Sequence, residues 1–197
     1  MKYEVTLVNS ERVYDGFFHL DRISYSHSLY AGGMSPDITR ELFQRGEAVV
    51  VLLYDLAAEQ LLLVEQCRAG ALAHFQDQQA WLLEPVAGMI DPQETALDAA
   101  VREVLEEAGV ALKPESFQYI GQFFPSPGGS SEILHLFAAP VDIHSLPAFA
   151  GNLHEVEDIK LVSLDFVQAK QALEQTRFNV ASTWIAVQWF IYQKWGQ

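Results

Sequence analysis

The chain has 197 residues, half of them apolar, and a formal net charge of −14. Such a composition fits one globular core with room for a small extension, and it excludes a disordered chain. The negative charge argues against a non-specific binder of nucleic acid or of anionic membranes, and any phosphate site must be made locally positive by metal ions or arginines.

Cys67 is the one cysteine and cannot close an internal disulfide, so a reducing compartment fits. It follows an apolar run and reads as a small buried hydrophobe. The N-terminal residues lack a signal-peptide core, and no apolar run approaches the ~20 residues of a membrane helix. The expected place is the cytoplasm, with no membrane partner.

In chain order, residues 2–30 are rich in Tyr, Val, Phe and Ile. They predict two or three strands with a turn near Tyr14-Asp15-Gly16. Gly32-Gly33-Met34-Ser35-Pro36 reads as a loop. Residues 47–54 and 60–67 are near-continuous apolar runs of strand length, joined by a short hairpin loop, and should be covered on both faces. Residues 69–80 read as a polar surface loop. A short strand over 81–85 leads into a loop at Gly88, and a helix follows from Thr95 to Ala108. Strands are expected at 117–124 and 132–141, then a long polar loop over 142–157 and a strand at 158–163. Asp165 should cap a helix reaching about Gln175, and a last helix runs over 181–195. No internal repeat is visible. Strands mixed with helices imply an α/β or α+β domain behind a small antiparallel N-terminal piece.

The helix from Thr95 carries the chemistry. Thr95 and Asp98 suit a capping box, and Gly109 sits where a C-terminal glycine belongs. Ala100, Val101, Val104, Leu105 and Ala108 form an apolar stripe. Glu103, Glu106 and Glu107 are predicted opposite that stripe, related by steps of three and four, so they share one patch about 5–6 Å across. Three carboxylates so close repel one another, and the helix dipole disfavours them at this end. A solvated acidic face is the plain reading; a hard cation such as Mg²⁺, which takes oxygen ligands, is the functional one.

The wider spacing decides between them. Gly88, Glu94, Arg102, Glu103, Glu106, Glu107 and Gly109, with aliphatics at 104 and 110, match the signature of the Nudix hydrolases at every position. Seven fixed positions at ordinary residue frequencies would match by chance roughly once in 10⁸–10⁹ starts. The chain therefore resembles the Nudix hydrolase family. The resemblance implies an α/β/α sandwich with a mixed sheet over residues 46–197, behind an N-terminal antiparallel β-subdomain over 1–45.

It also implies hydrolysis of a diphosphate bond with Mg²⁺, Mn²⁺ being a possible substitute. Glu103 and Glu107 would be the main metal ligands, joined by Glu106, the carbonyl of Ala87 and Glu157. Arg102 and Glu94 would hold the geometry of loop and helix.

Further segments resemble the ADP-ribose pyrophosphatase branch: Gly16-Phe17-Phe18, Met34-Ser35, Arg40-Glu41-Leu42-Phe43, Val64-Glu65-Gln66-Cys67-Arg68, Val86-Ala87-Gly88-Met89, Pro125 with Ser126-Pro127-Gly128-Gly129-Ser130-Ser131-Glu132, and Glu155-Val156-Glu157. That branch implies ADP-ribose as substrate, cleaved to AMP and ribose 5-phosphate; GDP-mannose or another nucleoside-diphosphate sugar is the alternative. It implies a homodimer built through the N-terminal strands, each subunit adding to the other's pocket. Substrate contacts would come from Phe17, Arg40, Arg68, Met89, Ser126, Gly128, Gly129, Ser130 and Glu132. Glu157, with Glu155 as its understudy, would complete catalysis beside Glu107 as metal ligand or general base. Each residue also has a plain reading. The Ser-Pro-Gly-Gly run alone is a turn, Glu155 and Glu157 alone are solvated acids, and Arg40 and Arg68 alone are surface charges. Phe17 alone is core, and Trp184, Trp189 and Trp195 read as core or dimer packing. A binding-only sensor would need an extra DNA-binding segment, for which no basic stretch is spare. An acidic scaffold would leave the motif unexplained.

Overall fold

A computed structural model describes residues 3–152 and 157–195. They form two compact units: the first takes in the chain up to Glu47 together with Phe124–Ile133, the second Ala48–Phe123 and the chain from Leu134 onward.

In the first unit β1 (Val5–Asp15) pairs antiparallel with β2 (His19–His27), and β2 with β3 (Ile38–Gln44). The turn between β1 and β2 falls at Gly16, whose N–H donates to the Phe18 carbonyl at 3.1 Å. β3 was not anticipated, because Arg40 and Glu41 interrupt its apolar positions and most of it is exposed. Every residue of β1 is exposed, Val5, Leu7, Val8 and Tyr14 among them. The 124–133 segment joins this unit through Phe43. Its N–H donates to the Gly129 carbonyl at 2.8 Å, and its carbonyl accepts from Ser131 N–H at 3.1 Å.

The second unit is a mixed sheet between helices, an α/β/α sandwich. Its main strand order is β10 (Phe149–Ala150), β11 (Ile159–Asp165), β5 (Gln60–Cys67), β4 (Glu47–Asp55), β9 (Ile133–Pro140) and β8 (Gln118–Phe123). Two short strands attach to the middle, β6 (Trp81–Glu84) on β5 and β7 (Val86–Met89) on β4. Successive side chains of a strand point to opposite faces, and both faces of β4 and β5 are buried, as the apolar runs predict. Val49, Val51, Leu53, Leu62 and Val64 pack with Ala100, Val104 and Ala108 of helix α2 (Ala96–Ala108). Val50, Leu52, Leu61 and Leu63 pack with Phe166 and Ala169 of α3 (Phe166–Glu174) and with Ala186, Val187 and Phe190 of α4 (Ala181–Phe190). Each buried Val or Leu contributes about 1.5–3 kcal/mol. Trp184, Trp189 and Trp195 pack against this second cluster.

Asp165 caps α3, as expected, and does so in a complete capping box with Gln168. Asp55 closes the β4–β5 turn. One of its carboxylate oxygens accepts from Ala57 and Ala58 N–H at 2.9 and 3.0 Å, and the other accepts from Ile143 N–H at 3.2 Å.

Several expectations need correction, the loop over 142–157 among them, since it holds β10 and a 3-10 turn at Ile143–Ser145. Residues 69–80 are not a loop but helix α1 (Ala69–Phe75) and a 3-10 turn at Gln78–Ala80. α1 buries none of its residues, so it leaves no apolar period to read. Cys67 is exposed, because the apolar run ends before it at the end of β5. Gly88 lies inside β7, paired with Val49, and not in a loop. The last helix is α-helical to Phe190 and then π-helical over Ile191–Trp195.

Candidate active site

The site is built where β7 delivers its backbone to α2. The turn between them is fastened by Glu94, whose carboxylate accepts from Asp91 N–H at 3.0 Å. Thr95 then caps α2, its hydroxyl oxygen accepting from Asp98 N–H at 3.2 Å, and Gly109 ends it in the left-handed region at φ 69°. The Thr95 hydroxyl also donates to the Asp98 carboxylate, so Asp98 does not reach back as the glutamate of a full capping box does.

The inner face of α2 differs from the expected apolar stripe. Its buried residues are Ala99, Ala100, Glu103, Val104, Glu107 and Ala108. These are two adjacent rows at steps of four: the apolar row 100, 104, 108 and the row 99, 103, 107, which carries two carboxylates. Leu105, expected inside, is 51% exposed. The carboxylates of Glu103 and Glu107 are therefore not opposite the core but beside it. Glu106 alone of the three faces partly outward.

Arg102 organises the outer edge. Its guanidinium makes two bonds to the Glu94 carboxylate, at 3.0 and 2.9 Å, and one to the Met89 carbonyl at 2.9 Å. Its third nitrogen, Nη1, donates to Glu103 at 2.5 Å and to Glu106 at 3.2 Å. Arg102 holds Glu94 below the usual carboxylate range, and Glu94 in turn raises the proton affinity of Arg102. Arginine suits this post because its planar fork stays charged and serves several acceptors at once.

Gly88 is where the helix meets the strand. A Cβ added there would lie 1.8 Å from a carboxylate oxygen of Glu103. No side chain fits unless Glu103 moves, so this glycine serves close approach and not a turn. Burial pushes Glu103 above its ordinary range, against the pull of Arg102.

Glu107 is 1% exposed, and burial pushes its carboxyl up to about 8. One of its oxygens accepts from Ala87 N–H at 2.9 Å, and the other from Gln66 Nε2 at 3.3 Å. Ala87 thus meets Glu107 through its N–H and not through its carbonyl. Arg68 lowers the cost of the Glu107 charge, though its own ion pair is with Glu84. Gln66 and Glu84 received no role from the sequence. A polar residue continuing a buried apolar strand is the signal that finds Gln66.

Glu157 belongs to the same neighbourhood, since its charge raises both Glu103 and Glu107. Its segment is tied to α2 by Gly151, whose N–H donates to the Glu106 carbonyl at 3.2 Å. Gly151 has φ 111°, and a Cβ there would meet the Glu157 carbonyl oxygen at 2.6 Å. Glu155 lies outside the described residues.

The remaining candidates are in the first unit, except Met89 and Arg68. Phe17 is 85% exposed. Arg40 is exposed and donates to the carbonyl of Thr39. Ser126 turns the chain, its carbonyl accepting from Gly129 and Ser130 N–H at 3.3 and 3.0 Å. Gly128 lies inside this turn. Ser130 Oγ accepts from Glu132 N–H at 3.2 Å, and Glu132 pairs with Arg45 at 3.1 Å.

The donor set fits a hard divalent cation. Two buried carboxylates are both raised by burial, Glu103 with Arg102 as its near cation and Glu107 with Arg68, and all candidate ligand atoms are oxygen. Among the described residues no three acidic groups already converge as a finished cation site. The carboxylates rest instead on Arg102, Ala87 and Gln66.

Comparison with known proteins agrees with this geometry. The family model described as NUDIX domain matches residues 44–182. The ADP-ribose pyrophosphatase of Haemophilus influenzae is 37% identical over 187 residues, covering 94% of this chain and 85% of that protein. The ADP-ribose pyrophosphatase of Escherichia coli is 37% identical over 188 residues, covering 95% and 88%. A GDP-mannose pyrophosphatase of Escherichia coli is 29% identical over 174 residues, covering 88% of each chain.

Proposed function

The chain belongs to the Nudix hydrolases, and on that premise we propose that it hydrolyses the diphosphate bond of ADP-ribose, giving AMP and ribose 5-phosphate. The observation that carries the chemistry is the pair of buried carboxylates, Glu103 and Glu107, set on the inner face of α2 against Gly88 and Ala87. The relatives named for ADP-ribose support the substrate. GDP-mannose is the second reading, supported by the relatives named for it.

Glu103 and Glu107 would hold Mg²⁺ or Mn²⁺, with Glu106, Glu157 and the Ala87 carbonyl as further oxygen donors. Bound there, the cation supplies charge neutralisation for the diphosphate and acidifies a water. The protein's own groups do the rest. Arg102 keeps Glu103 and Glu106 in register with the strand. Glu157, or Glu155 in its place, orients the attacking water and takes its proton. Phe17, Arg40, Arg68, Met89, Ser126, Gly128, Gly129, Ser130 and Glu132 are assigned to substrate contacts.

Two further assignments complete the reading. The chain acts in the cytoplasm, supported by its lone cysteine; no described helix is long and apolar enough to cross a membrane. It acts as a homodimer, supported by β1, whose apolar residues all lie exposed. Elution as a monomer at micromolar concentration would remove the second assignment.

The test is a substrate panel. ADP-ribose, GDP-mannose and NADH are each incubated with Mg²⁺, and released phosphate is read after coupling to a phosphatase. ADP-ribose should give the highest kcat/KM. A preference for GDP-mannose would replace the substrate, and no turnover on any diphosphate would overturn the reading.

A further inference from the structure

We propose that Gln66 is a positioning residue for the metal ligand Glu107, fixing the carboxylate in the orientation from which it binds a cation. The inference rests on the reading of Glu107 as a cation ligand. Its basis is a break in an otherwise uniform strand. Leu62 and Val64 of β5 face α2 and pack with Ala100, Val104 and Ala108. Two residues on, Gln66 continues the same face at 6% exposure. A hydrophobe would bury there without needing a partner, whereas an amide buried without a hydrogen bond is destabilising.

The partner is Glu107. Gln66 Nε2 donates to one carboxylate oxygen at 3.3 Å, while Ala87 N–H holds the other at 2.9 Å. Each oxygen of the most buried carboxylate of α2 therefore has one donor, and both donors are uncharged. That matters for a ligand. A lysine or arginine in place of Gln66 would neutralise the charge a cation needs. An apolar residue would leave the carboxylate held at one oxygen only, by Ala87 N–H. A neutral donor fixes orientation and leaves the negative charge available. Groups that orient metal ligands in this way typically govern affinity by about 10–100-fold.

The decisive experiment measures Mn²⁺ binding without substrate, by the electron paramagnetic resonance of free Mn²⁺, and the melting temperature in chelator. Wild type, Gln66→Met, Glu107→Gln and the double variant are compared. Gln66→Met keeps the volume and removes the donor. It should weaken Mn²⁺ binding about 10-fold, shift the Mn²⁺ dependence of activity by the same factor, and leave KM for the substrate unchanged. In the Glu107→Gln background it should add nothing further. Should Gln66→Met melt early, Gln66→Asn carries the same expectation, since it draws the amide one methylene back from Glu107. Wild-type Mn²⁺ affinity in the folded Gln66 variants would overturn the inference, as would a full effect persisting in the double variant. Unchanged Mn²⁺ binding in Glu107→Gln alone would overturn the metal reading beneath it.

Discussion

Two rows of side chains run along the same buried face of α2, and they do opposite things. Ala100, Val104 and Ala108 are ordinary core, packed on β4 and β5. Ala99, Glu103 and Glu107 are equally inside the molecule, yet two of the three are acids. The first row stabilises the fold by removing apolar surface from water. The second costs stability, because burial opposes the charge on both acids. A helix that accepts this cost one row away from its own core is placing charge where solvent cannot dilute it.

Substitutions in the two rows should separate activity from stability. Glu107→Gln should lower kcat by three orders of magnitude or more, roughly 4 kcal/mol of barrier, while the protein remains folded by circular dichroism. Near-normal turnover in that variant would end the distinction between the rows. Gly88→Ala should come next. Its methyl group must displace the Glu103 carboxylate, and a misplacement of about 1 Å costs on the order of 100-fold in kcat; steady-state kinetics read it. Val104→Ala should do the reverse, losing about 2 kcal/mol in denaturant titration with kcat/KM held within a few-fold. A comparable effect on stability lies away from both rows. The N–H groups of Ala58, Ile143 and Ala57 hold Asp55 below the usual carboxylate range. A carboxyl with its pKa lowered on folding stabilises the protein above the unfolded pKa, and that contribution is lost as pH falls through the folded one. Asp55→Ala should therefore cost about 1–3 kcal/mol at neutral pH and progressively less as the pH falls below 4. A pH-independent difference in melting curves would contradict this.

Much of the fold is legible in sequence where one element carries its own signal. The runs that become β4 and β5 are apolar throughout, so burial on both faces follows from composition. The limits of α2 follow from Thr95 and Gly109, whose roles are local. The site is legible only in part. Spacing alone places Glu103 and Glu107 on one patch, and the family resemblance adds Arg102 with Glu94 beside it. It does not show which way the patch faces, because an acid ordinarily faces water and Leu105 ordinarily does not. Burial of the carboxylates comes from Ala87, Gly88 and Gln66, residues of other elements that reach them only through the sheet. β3 and α1 escaped notice for a related reason. Neither presents a continuous apolar face, so neither carries a period.

The close approach of Glu107 to Ala87 and Gln66 bears on how such a protein drifts when selection on its activity relaxes. An amide at 107 keeps an acceptor for Ala87 N–H and has no proton to take up on burial, as the carboxyl must at neutral pH. In protein stripped of divalent cation at neutral pH, Glu107→Gln is therefore expected to raise the melting temperature. Silencing this helix is a downhill step, open to a single base change from a glutamate codon to a glutamine codon. A catalytically silent relative of this chain would on that account be the sturdier molecule, and its fold would carry no scar of the loss.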